Sequence, residues 1–253
     1  MPDFNSWKPN PSNFALHADE IHVWRAYLDC GDTVLRRFEA TLAADEKARA
    51  KRFVFQPDRN SFIATRGILR ELLGRYFKRS PTDLAFDYGP QGKPTLRTDS
   101  SATKVDFNVS HSHGMALFAF ALGRNVGVDI ELIRPDFAGQ KIAEHHFSPQ
   151  EVAELRSLPT TLQDEGFFLC WTRKEAYIKA RGEGLHVPLQ SFSVSLTPGE
   201  PEQLQAADSS RWSLRSVRPD PRYAGAVVAE GNGNSEDKDW QLRGWEWRPQ
   251  DRR

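Results

Sequence analysis

The sequence predicts an α+β fold. Three observations carry the prediction. Runs of β-branched and aromatic residues alternate with the period of two expected of strands, in both halves of the chain. Each half also holds one long stretch with apolar residues at helical spacing, so both halves have the same ingredients: strands around one long helix. The length, 253 residues, suits one large domain or two of roughly 120.

Residues 1–20 form a polar lead-in without an apolar core, and are expected not to be a signal peptide. Ile21 to Leu28 alternates and is expected to be a strand. Leu42 to Arg52 is charged and alanine-rich, hence helical. Pro57 suits the first turn of a second helix, which carries Phe62, Leu69, Leu72, Leu73, Tyr76 and Phe77 and stops near Pro81. Leu84 to Tyr88 is a short strand before the turn Gly89 to Pro94. Val105–Val109 and Met115–Leu122 are strands joined by His111, Ser112, His113 and Gly114. Val126 to Ile133 is a strand. Ser148-Pro149-Gln150-Glu151 opens a helix as a capping box. Phe167 to Arg181 is the long helix of the second half, ended by Gly182-Glu183-Gly184. Ser191–Leu196, Trp212–Val217 and Tyr223–Ala229 alternate as strands. Gly231 to Asp239 is a polar loop, and Trp240 to Trp247 an added edge strand.

Lys+Arg 34 balances Asp+Glu 34. A neutral chain is not built for general binding to nucleic acid or to an anionic membrane, so any anion site is a local cluster. Hydrophobic residues at 39% give enough apolar material for a core. The longest apolar run, Met115 to Leu122, is far too short to span a bilayer. Cys30 and Cys170 offer neither a disulfide framework nor a metal motif, which suits a reducing, cytoplasmic setting.

Two charged signatures carry the chemistry. In Gly127-Val128-Asp129-Ile130-Glu131 the acids are two apart. On a strand they share one face, while the valines and isoleucines take the other. In Trp171-Thr172-Arg173-Lys174-Glu175-Ala176-Tyr177-Ile178-Lys179, residues 171, 175 and 179 form one stripe of a helix. Alone, the first pair reads as solvent-facing acids and Glu175–Lys179 as an ordinary helix pair. Together they make three carboxylates and an ammonium, which calls for a divalent cation; oxygen ligands of this kind suit magnesium. Magnesium beside a lysine points to phosphoryl transfer or pyrophosphate chemistry.

Upstream lie Gly92-Lys93-Pro94 and Asn108-Val109-Ser110-His111-Ser112. In the order G-K-P, N-V-S-H-S, G-V-D-I-E and W-x-x-K-E-x-x-x-K, the chain resembles the Sfp-type 4′-phosphopantetheinyl transferases, from about Arg49 to about Phe192. That family moves the phosphopantetheine arm of coenzyme A onto a carrier-protein serine and releases adenosine 3′,5′-bisphosphate. The resemblance implies two similar α/β lobes related by a pseudo-two-fold axis, with the active site in the cleft between them. Residues 1–122 would form the lobe that contacts the coenzyme A nucleotide, and 123–253 the lobe that holds magnesium and the catalytic groups.

By the same resemblance, Asp129, Glu131 and Glu175 are the magnesium ligands, and Glu175 is the candidate base for the carrier serine. Lys179 stabilises charge on the pyrophosphate or protonates the departing bisphosphate. Arg49, Lys93, Ser110 and His111 contact the 3′-phosphate and adenosine side, with Arg66 a weaker candidate. Glu151 matches a family acid, but its capping-box position explains it equally well. His145 and His146 diverge on a helix and do not suggest a second metal site. The loop Arg181 to Leu185 is a candidate part of the carrier-docking surface. One chain holds both walls of the cleft, so a monomer with one coenzyme A site is expected. A non-catalytic coenzyme A or carrier-binding module on the same fold is the alternative; a metal-dependent phosphohydrolase is a third reading.

Overall fold

The computed structural model describes residues 7–11, 15–89, 92–97, 104–135, 139–182, 187–231 and 240–249. A two-residue strand, β1 (Lys8–Pro9), leads in. Then come β2 (Glu20–Tyr27), three helices α1 (Gly31–Thr41), α2 (Ala44–Ala50) and α3 (Gln56–Phe77), a ribbon of β3 (Phe86–Tyr88) with β4 (Pro94–Leu96), and a hairpin of β5 (Val105–Ser112) and β6 (Met115–Leu122). The succession then repeats. It runs β7 (Val126–Leu132), α4 (Gly139–His146), α5 (Pro149–Ser157), α6 (Thr160–Arg181), a ribbon of β8 (Ser193–Val194) with β9 (Leu204–Gln205), and a hairpin of β10 (Trp212–Val217) and β11 (Tyr223–Glu230).

Strand order repeats as well. The first sheet contains β2-β6-β5 and the second is β7-β11-β10, so in each the opening strand pairs with the closing one. Helices α3 and α6 are both 22 residues long. The two-lobed α+β expectation is met at the level of topology. One element breaks the repeat: β12 (Gln241–Glu246) returns from the far end of the chain and lies parallel to β2 in the first sheet, with β1 beyond it. The expected edge strand is therefore an interior one, and the sheets do not divide the chain at a single point.

Packing forms helix–sheet–sheet–helix layers. Trp24, Phe38, Ile68, Leu72, Phe118 and Phe120 fill the space between the first sheet and its helices. Phe168, Tyr177, Trp212, Leu214 and Val228 do the same under α6. A third cluster lies between the sheets, with Val23, Leu117 and Ala119 from one and Val128, Ile130 and Val227 from the other. Strand β6 thus serves two cores, one with its even residues and one with its odd ones. This accounts for an eight-residue apolar run without polar alternation. Each fully buried Leu, Ile or Phe here contributes about 1.5–3 kcal/mol.

Both lobes bury the same ion pair. In the second, Glu151 completes the capping box by accepting from the Ser148 amide at 2.7 Å, accepts from the Val194 amide, and lies 2.8 Å from the Lys174 ammonium. Lys174 also donates to the carbonyls of Leu189 and Phe192. Both side chains are 1% exposed. In the first, Glu46 accepts from the Ala43 amide and pairs with Arg70 at 2.6 Å, and Arg70 donates to the carbonyls of Pro81 and Leu84. Glu151 and Lys174 tie helices α5 and α6 to the segment that follows α6.

Several expectations need adjustment. Helices α1 and α4 and strands β1, β4 and β9 lie outside the sequence expectations, β1 within the lead-in expected to be irregular. Leu42 is not helical: it is the extended cap of α1, and α2 starts at Ala44. Strand β5 continues through Ser112, so His111 and Ser112 are strand residues rather than turn residues. Helix α6 begins at Thr160, a turn and more before its apolar signature. Of 191–196 only Ser193–Val194 pairs as a strand. Residues 90–91 of the expected turn, 183–185 of the expected docking loop and 232–239 of the polar loop lie outside the described residues.

Candidate active site

The two sheets meet edge to edge along β5 and β7, which run side by side without a backbone ladder. Side chains replace it. Asp106 Oδ2 accepts from the Val126 amide at 2.9 Å, Asn108 Oδ1 from the Val128 amide at 2.9 Å, and Ser112 Oγ from the Leu132 amide at 3.3 Å. Each partner lies 20 residues further on, so the rungs are in register. The serines extend this to the D-x-E acids. Ser110 Oγ donates to Asp129 Oδ1 at 2.7 Å, and Ser112 Oγ donates to Glu131 Oε2 at 2.7 Å.

Helix α6 closes the site from above, and Gly127 sets its height. A Cβ at Gly127 would stand 2.1 Å from the Ala176 carbonyl oxygen, so only glycine lets the helix approach β7 this closely. The contact brings Lys179 Nζ to 2.6 Å from Asp129 Oδ1 and 3.1 Å from Ser110 Oγ. Along α6, Trp171, Glu175 and Lys179 are half-buried while their neighbours 172–174 and 176–178 are buried. The predicted stripe is thus the accessible line of the helix between Gly166 and Ala180.

Burial first, and crowding of charge second, shift the groups of the site. Burial pushes the Glu175 carboxyl from its ordinary 4.5 up to about 7; the Asp129 carboxylate adds to the rise, Lys179 opposes it and Glu131 adds a little more. Glu131 is also raised, by burial first, against the Ser112 hydrogen bond. His111 is lowered by loss of water around the ring and by Lys179.

A stability effect follows. The folded, metal-free chain prefers Glu175 protonated. Ionising it between pH 4.5 and about 7 costs stability, and the full cost persists above that range. Glu175→Gln carries no such charge. Without divalent metal it is expected to be more stable than the parent at about pH 8, by roughly 1–3 kcal/mol, with the gap closing at about pH 4. Urea unfolding at the two pH values checks this. A gap that does not depend on pH overturns it.

Beside this cluster opens a cleft of about 310 Å³ whose walls include Arg49, Arg66, Lys93, His111 and Lys179. Phe62, Leu69, Tyr88, Val109 and Ile178 supply its apolar floor. Arg49 is stacked on Phe62 at 5.4 Å. Lys93 Nζ is 3.1 Å from Asp106 Oδ2 and also donates to the Val126 carbonyl, so it bridges the lobes. Ser110 differs from its expected part: successive strand residues point oppositely, and its hydroxyl serves Asp129 and Lys179 rather than sharing the face of His111. Glu151 lies away from the cleft, wholly buried.

Four groups were missed from the sequence: Asp106, Asn108, Ser112 and Glu46. The first three had a signal, since polar residues at 106, 108, 110 and 112 alternate on a strand whose other face is apolar from Val105 to Val109. Glu46 had none beyond its place three residues after Ala43.

A magnesium ion fits the donors present. Asp129 Oδ2 is a buried carboxylate oxygen with no hydrogen-bond partner. Among the described residues no three carboxylates, histidines or cysteines stand close enough to hold an ion by themselves. Magnesium ordinarily takes one or two carboxylates and completes its shell with water and substrate phosphate.

Comparison with known proteins agrees with the resemblance. The family model described as the 4′-phosphopantetheinyl transferase superfamily matches residues 125–228, and that of the 4′-phosphopantetheinyl transferase N-terminal region matches 32–121. The chain is 41% identical over 243 residues to the 4′-phosphopantetheinyl transferase HetI of Nostoc sp., covering 96% of this chain and 99% of that one. It is 29% identical over 194 residues to the 4′-phosphopantetheinyl transferase Sfp of Bacillus subtilis, covering 76% and 84%. Among solved structures, the Chronobacterium ammoniagenes ACPS–CoA complex matches 42% of this chain and 95% of that one, at 24% identity and a TM-score of 0.34. With HetI matched along nearly its whole length, the chain belongs to the 4′-phosphopantetheinyl transferase superfamily.

Proposed function

We propose that the chain transfers the 4′-phosphopantetheine group of coenzyme A to a serine of a carrier protein, with magnesium, in the cleft between its lobes. The observation that carries this reading is the junction of Lys179, Asp129 and Glu175 at the end of a cation-walled cleft. The 3′-phosphate and adenosine side sits against Arg49, Lys93 and His111. Asp129 and Glu175, with Glu131 beside them, hold magnesium; when bound, the ion neutralises charge on the pyrophosphate.

Glu175 is poised as the base. Beside a bound cation its carboxylate would be ionised, and it takes the serine proton directly or through one water. The serine oxygen bonds to the β-phosphorus, and the bond from that phosphorus to the bridging oxygen opens. Adenosine 3′,5′-bisphosphate departs with the bond electrons. Lys179 balances the charge that gathers on the departing group. Ser110 holds Asp129 and Lys179 in line, and Ser112 holds Glu131.

One chain supplies both walls, so the working unit is a monomer with one coenzyme A site. Among the described residues no helix is long and apolar enough to cross a membrane. Incubation with coenzyme A, magnesium and an apo carrier protein should add one phosphopantetheine to the carrier, read by mass spectrometry. Coenzyme A binding without that gain favours a non-catalytic binding module. Release of phosphate without carrier modification favours a phosphohydrolase.

A further inference from the structure

The hairpin from β5 to β6 is closed by two residues, His113 and Gly114, between the paired Ser112 and Met115. Both have positive φ, 45° and 83°. Two such residues in a two-residue loop are the mark of a type I′ turn, whose first position suits Asn, Asp or Gly. A histidine there is uncommon, and burial does not account for it, since the residue is exposed. The turn is fastened from both sheets. The Leu28 amide, at the end of β2, donates to the Gly114 carbonyl at 2.8 Å. Tyr223, on β11, donates its hydroxyl to the His113 carbonyl at 2.7 Å.

So held, the His113 ring places Nδ1 2.9 Å from Ser112 Oγ. The direction of that bond follows from the hydroxyl, which has one proton and two lone pairs. Glu131, as a metal ligand, is ionised and only accepts, so the Ser112 proton points to its Oε2 at 2.7 Å. One lone pair takes the Leu132 amide at 3.3 Å. The His113 ring nitrogen therefore donates to the other. With all three positions filled, the hydroxyl does not turn away from Glu131.

We propose that His113 is a positioning residue of the metal site: its ring fixes the Ser112 hydroxyl, and that hydroxyl fixes Glu131 toward magnesium. The proposal rests on the magnesium reading above. It adds to that reading a turn residue outside the four motifs, and gives a reason for histidine at a position where the backbone favours smaller residues.

The test is spectroscopic titration of the full chain and its variants with manganese, coenzyme A present, with thermal unfolding alongside. His113→Gly removes the ring and leaves a residue at ease with positive φ. It is expected to melt at about the parental temperature yet to bind manganese about threefold more weakly. His113→Asn is the rescue. Its amide nitrogen, like histidine Nδ1, is bonded to Cγ and can donate in the same place, and asparagine suits the turn. Parental affinity is expected. Ser112→Ala is expected to weaken manganese binding about fivefold. Because His113 acts through Ser112, adding His113→Gly to Ser112→Ala should cost little more, where independent effects would multiply to about fifteenfold. Parental affinity in His113→Gly, no rescue by asparagine, full multiplication in the double variant, or a loss of affinity that only follows a loss of stability overturns the proposal. If the parent itself takes up no manganese, the metal reading and the proposal both fail; if it does and His113→Gly matches it, the proposal alone fails.

Discussion

Lys179→Ala is expected to lower the turnover number about 10²–10³-fold or more, while coenzyme A still binds. Two facts separate the effects. The cleft keeps Arg49, Arg66, Lys93 and His111, so most ground-state attraction for phosphate survives. The end of the cleft where the phosphoryl group reacts is different. There the ammonium lies 2.6 Å from Asp129, beside the Glu175 carboxyl that burial and then the Asp129 charge raise. Charge that builds on the departing bisphosphate then has no fixed cation from the protein. The loss should fall on kcat and spare KM for coenzyme A. Thermal unfolding of the variant must accompany the kinetics, because Asp129 is 3% exposed and loses its ion-pair partner. A folded Lys179→Ala protein with near-parental turnover removes Lys179 from the mechanism.

That cluster was legible because its parts lie close in sequence and obey simple periods. Asp129 and Glu131 are a period-two pair on β7, and Glu175 and Lys179 a helical pair on α6. Gly127 supplies the contact that joins them. The fold class was legible for the same reason, since β2, β6, β7, β10 and β11 all carry their burial pattern locally. The opposite case is β12. Its pairing partner β2 is more than 200 residues away, and nothing in Gln241 to Glu246 distinguishes an edge from an interior position. The short ribbons have too few residues to show a period.

Pairings made by side chains were hidden in another way. Glu46 and Arg70 are separated by a helix and a loop, and their partnership depends on how α2 is laid against α3. The repeat stayed hidden because function has pulled the lobes apart. Where the second lobe has Lys174-Glu175 and then Lys179, the first has Arg70-Glu71 and then Arg75. Where Lys179 meets the carboxylate of Asp129, Arg75 instead stacks over Trp24 at 5.6 Å. An aromatic core with Trp245 stacked on Trp24 at 5.1 Å occupies that side, and β12 supplies the tryptophan. The first lobe therefore keeps the scaffold of the site and fills it.

Asp129→Asn is expected to raise the magnesium concentration that half-saturates activity by about tenfold or more, and to reduce turnover at saturating metal about 10²-fold. The substitution preserves shape. Oδ1 still accepts from Ser110 and Lys179, so the local hydrogen bonds remain. What changes is the second oxygen, the one buried without a partner, which becomes an amide nitrogen that repels a cation. The Glu175 carboxyl should also move back toward its ordinary range, because the Asp129 carboxylate is the largest contribution to its rise after burial. Spectroscopic titration with manganese, in the presence of coenzyme A, reads metal binding apart from turnover. Glu131→Gln should be milder, because Ser112 already occupies one of its oxygens and the carboxylate is not buried as Asp129 is. Magnesium and manganese titrations of Asp129→Asn that superimpose on those of the parent show that Asp129 is not a ligand. They leave it only the part that Ser110 and Lys179 already give it, a buried counterion that holds α6 against β7.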